Sequence, residues 1–269
     1  LQAYSSRDER IRVFTEENKG AGAARNRGLT EATGKYMLFL DCDDFFEPDM
    51  VQLAYEKAEE QGAEIVIYKS DQYNMDSGEF VYENWAMMEW ALPPYEPFGY
   101  RQISTNIFKA FVGWAWDKLY LREFVVKNDL KFQEQRTTND ALFVFSALVL
   151  AEKISTVRKI LIHRRVDTAD SLSKTREKSW DNFYRMLLAL RQFLKDREKW
   201  NELEKDFVNY ALHFSLWNYN TLAEPTKTKL RNKLVSEWFE ELGIRQRHKE
   251  YFYDEYEYSQ YEAMLKLQD

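Results

Sequence analysis

The sequence predicts an α/β fold, an open sheet flanked by helices, followed by a region of helices alone. Three observations predict it. Short apolar runs at residues 11–14 (IRVF), 36–40 (YMLFL), 63–68 (AEIVIY) and 157–165 (VRKILIHRR) have strand length and alternate with helix-length segments at 23–32, 51–60 and 141–151. The run at 36–40 passes directly into three acids, Asp41, Asp43 and Asp44. From residue 174 onward the apolar residues fall at helical spacing.

The first of these runs, 11–14, reads as a short strand. Gly20 and Gly22 then permit close backbone approach or positive φ, and the alanine-rich stretch 23–32 has the composition of a helix. Strand, helix and the strand at 36–40 fit within the length of a βαβ unit. A glycine-rich start to a helix can receive an anion, and Lys19, Arg25 and Arg27 add cations around it. The alternative for this part is an ordinary surface helix bearing basic residues.

A strand ending in acids places them at its carboxyl edge, where ligands bind in open α/β sheets. Asp41 and Asp43 can face one hard cation and leave positions for water or phosphate oxygens, which suits magnesium or manganese. That is chemistry for a nucleoside diphosphate. The alternative is a solvated acidic turn in which Asp44 or Asp49 caps the helix that Pro48 opens. Cys42, between the acids, reads as a small buried spacer.

Downstream, residues 79–100 form an irregular insertion carrying Trp85, Trp90 and three prolines, and lead to a helix near 102–112. The segment 141–151 is apolar on nearly every face and should be buried all round. Asn139 is then a cap, and Asp140, in the first turn, is held ionised by the helix terminus. The strand at 157–165 ends in cations beside His163, and Lys174, Arg176 and Lys178 follow. Stripes at Trp180 to Leu194, Leu203 to Trp217 and Leu230 to Leu242 predict three helices packed on the body, and the aromatic tail 251–261 a docked terminal helix.

At 269 residues and 45% hydrophobic content the chain can bury a sizeable core. Its net charge of −7 argues against general nucleic-acid binding. No apolar run approaches the roughly 20 residues of a spanning helix. A single cysteine excludes disulfides within the chain and suits a reducing cytoplasm.

Taken in order, Asn18-Lys19-Gly20, Ala24-Arg25-Asn26-Arg27-Gly28, the strand running into DCDD, Pro48-Asp49-Met50, Trp116-Asp117-Lys118-Leu119-Tyr120, Asn139-Asp140 and residues 162–173 (IHRRVDTADSLS) form a specific series. The series resembles the family 2 nucleotide-sugar glycosyltransferases, over about residues 7–175. The resemblance implies a GT-A (Rossmann-like) mixed sheet flanked by helices over residues 1–173, with a C-terminal helical region at 174–269. The family's first strands and nucleotide-pocket motif do not precede Leu1. The expectation is therefore a fold truncated at its N-terminus, with an exposed sheet edge that must be covered or paired.

The resemblance further implies a donor site at Lys19, Arg25, Asn26 and Asp41, with Mn2+ or Mg2+ on Asp41 and Asp43. Trp116 lies beside the acceptor, and Asp140 is the base of an inverting transfer, although Asn139 departs from the family's Glu-Asp. Trp85, Trp90 and Trp114 either stack on a sugar or serve packing. The cations after residue 173 either form a solvated edge or a basic flap on the diphosphate, and His163 is either structural or a further metal ligand. The implied partners are a nucleoside diphosphate sugar, with UDP as its base carrier, and a glycan or lipid-linked acceptor for surface polysaccharide. The implied location is the cytoplasm at the inner membrane face, compatible with peripheral membrane association and a homo-oligomer. The competing reading is a noncatalytic GT-A-like binding or assembly module. A nuclease or phosphatase would need a further carboxylate or histidine cluster that the sequence lacks.

Overall fold

The structure, a computed structural model, describes residues 1–166, 172–245 and 247–266. In chain order the regular elements are α1 (Gln2–Ser5), α2 (Ala21–Glu31), β1 (Tyr36–Leu38), β2 (Phe45–Phe46), α3 (Met50–Gln61), β3 (Ile65–Asn74), β4 (Phe80–Tyr82), α4 (Ile107–Ala110) and β5 (Lys118–Leu121). They continue with α5 (Arg122–Lys127), α6 (Ala141–Leu150), β6 (Ile154–Val166), α7 (Asn182–Asp196), α8 (Trp200–Thr221), α9 (Thr226–Lys233), α10 (Phe239–Glu241) and α11 (Glu255–Lys266). No described helix is long and apolar enough to cross a membrane.

The strands form one mixed sheet of order β1-β5-β3-β6-β2, with β4 also on β3. Among the described strands only β3 and β6 run parallel. β6 sets 13 residues against the 10 of β3, and the surplus is absorbed in two register shifts between Tyr68 and Ser70. Such bulges bend a strand and increase its twist. Here the bend carries the end of β6 to β2, so that Phe45 and Phe46 pair with His163 and Ile162 just beyond the acids.

Period-two alternation in β3 sorts its side chains between two cores. Ile65 and Ile67 join a large core with α4, α6, α7 and α8, whereas Val66 and Tyr68 face a smaller one under α3. Met50, Ala54 and Ala58 form the buried stripe of α3, and the small side chains let the helix lie close on the sheet. Gly62 ends that helix at φ 58, a left-handed conformation that glycine adopts without strain. The nearly all-apolar α6 is buried around almost its whole circumference, as its sequence predicts. α7 and α8 add Leu187, Leu190, Phe207 and Leu212 to the same core, and α11 docks through Tyr261 and Met264.

Several expectations are corrected. Residues 11–14 form no strand: Ile11 and Phe14 are exposed, and the guanidiniums of Arg12 and Arg27 lie over the Phe14 ring. A strand needs a ladder partner for its backbone groups, and none of the described strands pairs with this segment. The strand expected at 36–40 ends at Leu38, which leaves Cys42 exposed in the following turn rather than buried. The helix near 102–112 shrinks to the single turn of α4, started where Asn106 accepts the amide of Phe108, at 2.9 Å. Neither Asp44 nor Asp49 caps α3 with its side chain. Asp49 accepts from Lys159 at 2.6 Å, and Asp44 from the amide of Arg165 at 3.0 Å.

Candidate active site

Two features fix α2 against residues 132–135. A Cβ added at Gly22 would stand 2.0 Å from the carbonyl oxygen of Gln133, so the backbones approach closer than any side chain allows. One turn on, Asn26 donates Nδ2–H to the carbonyl of Phe132 at 3.0 Å and accepts the Phe132 amide at 2.8 Å. This two-way bond occupies both ends of the Asn26 amide, which acts here as a staple.

Held in this way, α2 aims Arg25 inward. Its guanidinium donates to Asp41 Oδ1 at 2.6 Å and to Asn139 Oδ1 at 2.7 Å, and it lies over the Phe132 ring. The rigid fork of arginine suits such a bridge between two oxygens. It joins the acidic turn after β1 to the start of α6, where Asn139 is buried and Asp140 is partly exposed. Lys19 stands exposed in the loop before α2.

Asp140 occupies the N-cap position of α6 but makes no side-chain cap. Burial raises its pKa above the ordinary carboxylate value, and the charge of Arg25 is the main opposing influence. The cap position expected for Asn139 thus belongs to Asp140, and a backbone hydrogen bond at the helix start joins Arg25 in opposing the effect of burial. In the acidic turn, Asp43 is exposed and Asp41 half-buried. Asp44 is pushed up to about 6, first by burial and further by the charges of Asp43 and Asp41. Among the described residues no three His, Cys, Asp or Glu side chains converge into a metal cage. Asp41 and Asp43 nevertheless supply an oxygen-only pair, which fits a hard cation completing its shell with water and phosphate.

Along the free edge of β1 runs a groove of about 580 Å³, lined by Ala21, Ala24 and Gly28 of α2 and by Met37, Phe39 and Asp41. It leads to Asp41 and Arg25, so a ligand seated in it would reach both.

The other sequence-predicted residues fall elsewhere. Both nitrogens of His163 are occupied by carboxylates, Nδ1 by Asp71 at 2.7 Å and Nε2 by Glu47 at 3.0 Å, which favours its structural reading. Trp116 is 4% exposed, in the core under α3, and its ring stacks on Trp114 at 4.6 Å. Arg164 covers Trp114, and Trp85 meets its edge. Trp90 is 73% exposed. Arg176 is turned to α8, where it donates to Thr221 at 2.8 Å and lies over Trp217. Of the paired-serine segment 162–173, residues 167–171 lie outside the described residues, as does the side chain of Lys174.

Lys118, passed over at the sequence level except as part of a motif, is 0% exposed and pairs with Asp117 at 2.5 Å. Burial pushes its pKa down and that of Asp117 up to about 6. The signal available in the sequence was an acid and a base set inside an otherwise apolar strand.

Residues 1–125 match the family model of Glycosyl transferase family 2. The chain is 25% identical over 238 residues to the putative glycosyltransferase EpsH of Bacillus subtilis, covering 87% of this chain and 67% of that protein. It is also 25% identical over 271 residues to the cholesterol galactosyltransferase of Borreliella burgdorferi, covering 96% and 74% respectively. In fold it is similar to S. aureus TarS solved in complex with UDP-GlcNAc, with a TM-score of 0.53 at 16% identity over 91% of this chain and 75% of that one. The match thus identifies a glycosyl transferase family 2 domain over residues 1–125, and the mixed sheet is similar in fold to that of the GT-A protein TarS.

Proposed function

We propose that the chain transfers a sugar from a nucleoside diphosphate sugar to a glycan or lipid-linked acceptor by a single inverting displacement. The observation that carries this reading is the Arg25 bridge, which ties the acidic turn at Asp41 to the start of α6 at Asn139 and Asp140. One donor acid, Asp41, is thereby tied to Asn139, the residue next to the carboxylate base. A UDP-sugar is the favoured donor class, because the similar TarS chain binds UDP-GlcNAc.

In this reading Arg25 and Lys19 attract the diphosphate. Asp41 and Asp43 would hold Mn2+ or Mg2+, which when bound neutralises charge on the departing diphosphate. Asp140 removes the proton from the acceptor hydroxyl as it attacks the anomeric carbon. A raised pKa suits that task, since it makes the carboxylate a stronger base than a solvated one. The exposed rings of Trp85 and Trp90 offer surfaces for an acceptor sugar, in a pathway to surface polysaccharide at the inner membrane face.

Calorimetry of UDP binding with and without manganese tests the donor site. Manganese-dependent binding that disappears in Asp43→Ala is expected. Equal binding by the variant would remove the metal assignment, and no binding of any nucleoside diphosphate would remove the donor site.

A further inference from the structure

A buried lysine calls for a reason beyond stability. An apolar side chain of similar length would fill the place of Lys118 in β5 without the cost of taking an ammonium out of water. The ammonium is nonetheless kept, and all three of its protons are used. Besides Asp117, it donates to the carbonyls of Val112 at 3.0 Å and Trp114 at 2.8 Å.

Those two carbonyls flank Gly113. A Cβ at Gly113 would lie 3.1 Å from the Ala141 Cβ and 3.1 Å from the Phe145 ring. The turn gripped by Lys118 therefore rests directly on the first turns of α6, beginning one residue after Asp140. The same turn carries Trp114 and Trp116, whose stacked rings adjoin Arg164 and Trp85.

We infer that Lys118 is a positioning residue whose buried ammonium clamps the turn at residues 112–116 against α6, setting Asp140 and the Trp114/Trp116 pair in fixed relation. The inference rests on the reading of Asp140 as base only for what the positioning serves. The clamp itself is measurable without substrate. On one side of the clamp the Trp pair packs under α3 and against Trp85, and on the other stands Asp140, the proposed base. A shift of the turn would misalign both at once, without touching the donor acids.

The test is amide hydrogen exchange and near-ultraviolet circular dichroism on the full chain, comparing wild type, Lys118→Met and the double variant Asp117→Asn/Lys118→Met. The amides of Val112, bonded to Ala86, and of Val144, bonded to Asp140, report the two sides of the clamp. Both should exchange at least tenfold faster in the variants, while α8 amides keep their wild-type rates, and the tryptophan signal should collapse. Acceleration of all amides by one common factor, with the tryptophan signal retained, would show a merely structural lysine and overturn the inference. Because a variant lacking the lysine could fail to fold, Gly113→Ala provides a separate arm that lifts the turn while keeping the ion pair. It should reproduce the local acceleration and the lost signal, and wild-type behaviour in this variant would equally overturn the clamp. UDP binding and the activity of Asp140→Asn decide the functional reading independently of either result.

Discussion

Two ionic clusters, one around His163 of β6 and one in the turn after β1, differ in what they leave open. Around His163, the imidazole is held by Asp71 and Glu47, Arg164 donates to Glu83 at 2.8 Å, and Gln72 donates to the same carboxylate at 2.7 Å. Every charge there has a partner, with Asp71 and Glu83 buried. Around Arg25 the guanidinium donates to Asp41 and Asn139, but Asp43 faces solvent and Asp41 keeps an open side. The saturated cluster joins strands, whereas the unsaturated one can receive a ligand. Charge alone does not mark a site, and unfinished coordination is the better guide.

The sharpest way to break this contrast is Arg25→Met. It removes the bridge from Asp41 and Asn139, and loss of a charged, largely buried hydrogen-bond donor should cost about 2 to 3 kcal/mol of stability. Denaturant unfolding would measure that cost, and glycosyl transfer should fall by at least about 100-fold as both ends of the site lose alignment. If turnover survives, the bridge does not organise the site. Asp43→Ala comes next: manganese-dependent UDP binding should vanish while stability moves by less than about 0.5 kcal/mol, because the side chain is exposed.

A smaller effect is expected at Asp44. Its folded pKa of about 6 lies above the ordinary 3.8, so the folded state binds the extra proton. The associated stability is fully present below the unfolded value and is lost as pH rises through the folded one. Asp44→Asn should therefore gain on wild type between pH 4 and 6, by about 1 kcal/mol after allowance for solvent screening. A parallel pair of stability curves against pH would contradict the burial of this acid. The least perturbing change is Trp90→Ala, which should leave melting within about 0.5 kcal/mol of wild type while weakening binding of a glycan acceptor.

Periodicity made much of the fold legible. The strands at 63–68 and 157–165, the helix at 51–60, the buried segment 141–151 and the C-terminal helices all appear, because each follows from a local repeat of apolar residues. Residues 11–14 have the same local pattern but no ladder, since a strand depends on a partner that its own sequence does not contain. The site was legible by residue type more than by arrangement. The acids and Arg25 were recognisable from their order along the chain, but the link from Arg25 to Asn139 spans 114 positions and arises only from tertiary packing. Asp140 was expected in the first turn behind an Asn139 cap but stands at the N-cap itself, and the burial and Arg25 charge that act on it come from tertiary packing. The early end of β1 could not be read from five apolar residues, and it decided the exposure of Cys42.

The contact at Gly22 has a mechanical consequence. With no space for even a methyl group between α2 and the carbonyl of Gln133, the helix cannot roll or slide over that segment. On the proposed reading, a movement of α2 on meeting a phosphate would be passed along residues 133–140 to the carboxylate of Asp140. The two halves of the proposed site would then be geared rather than hinged, closure on one substrate adjusting the seat prepared for the other.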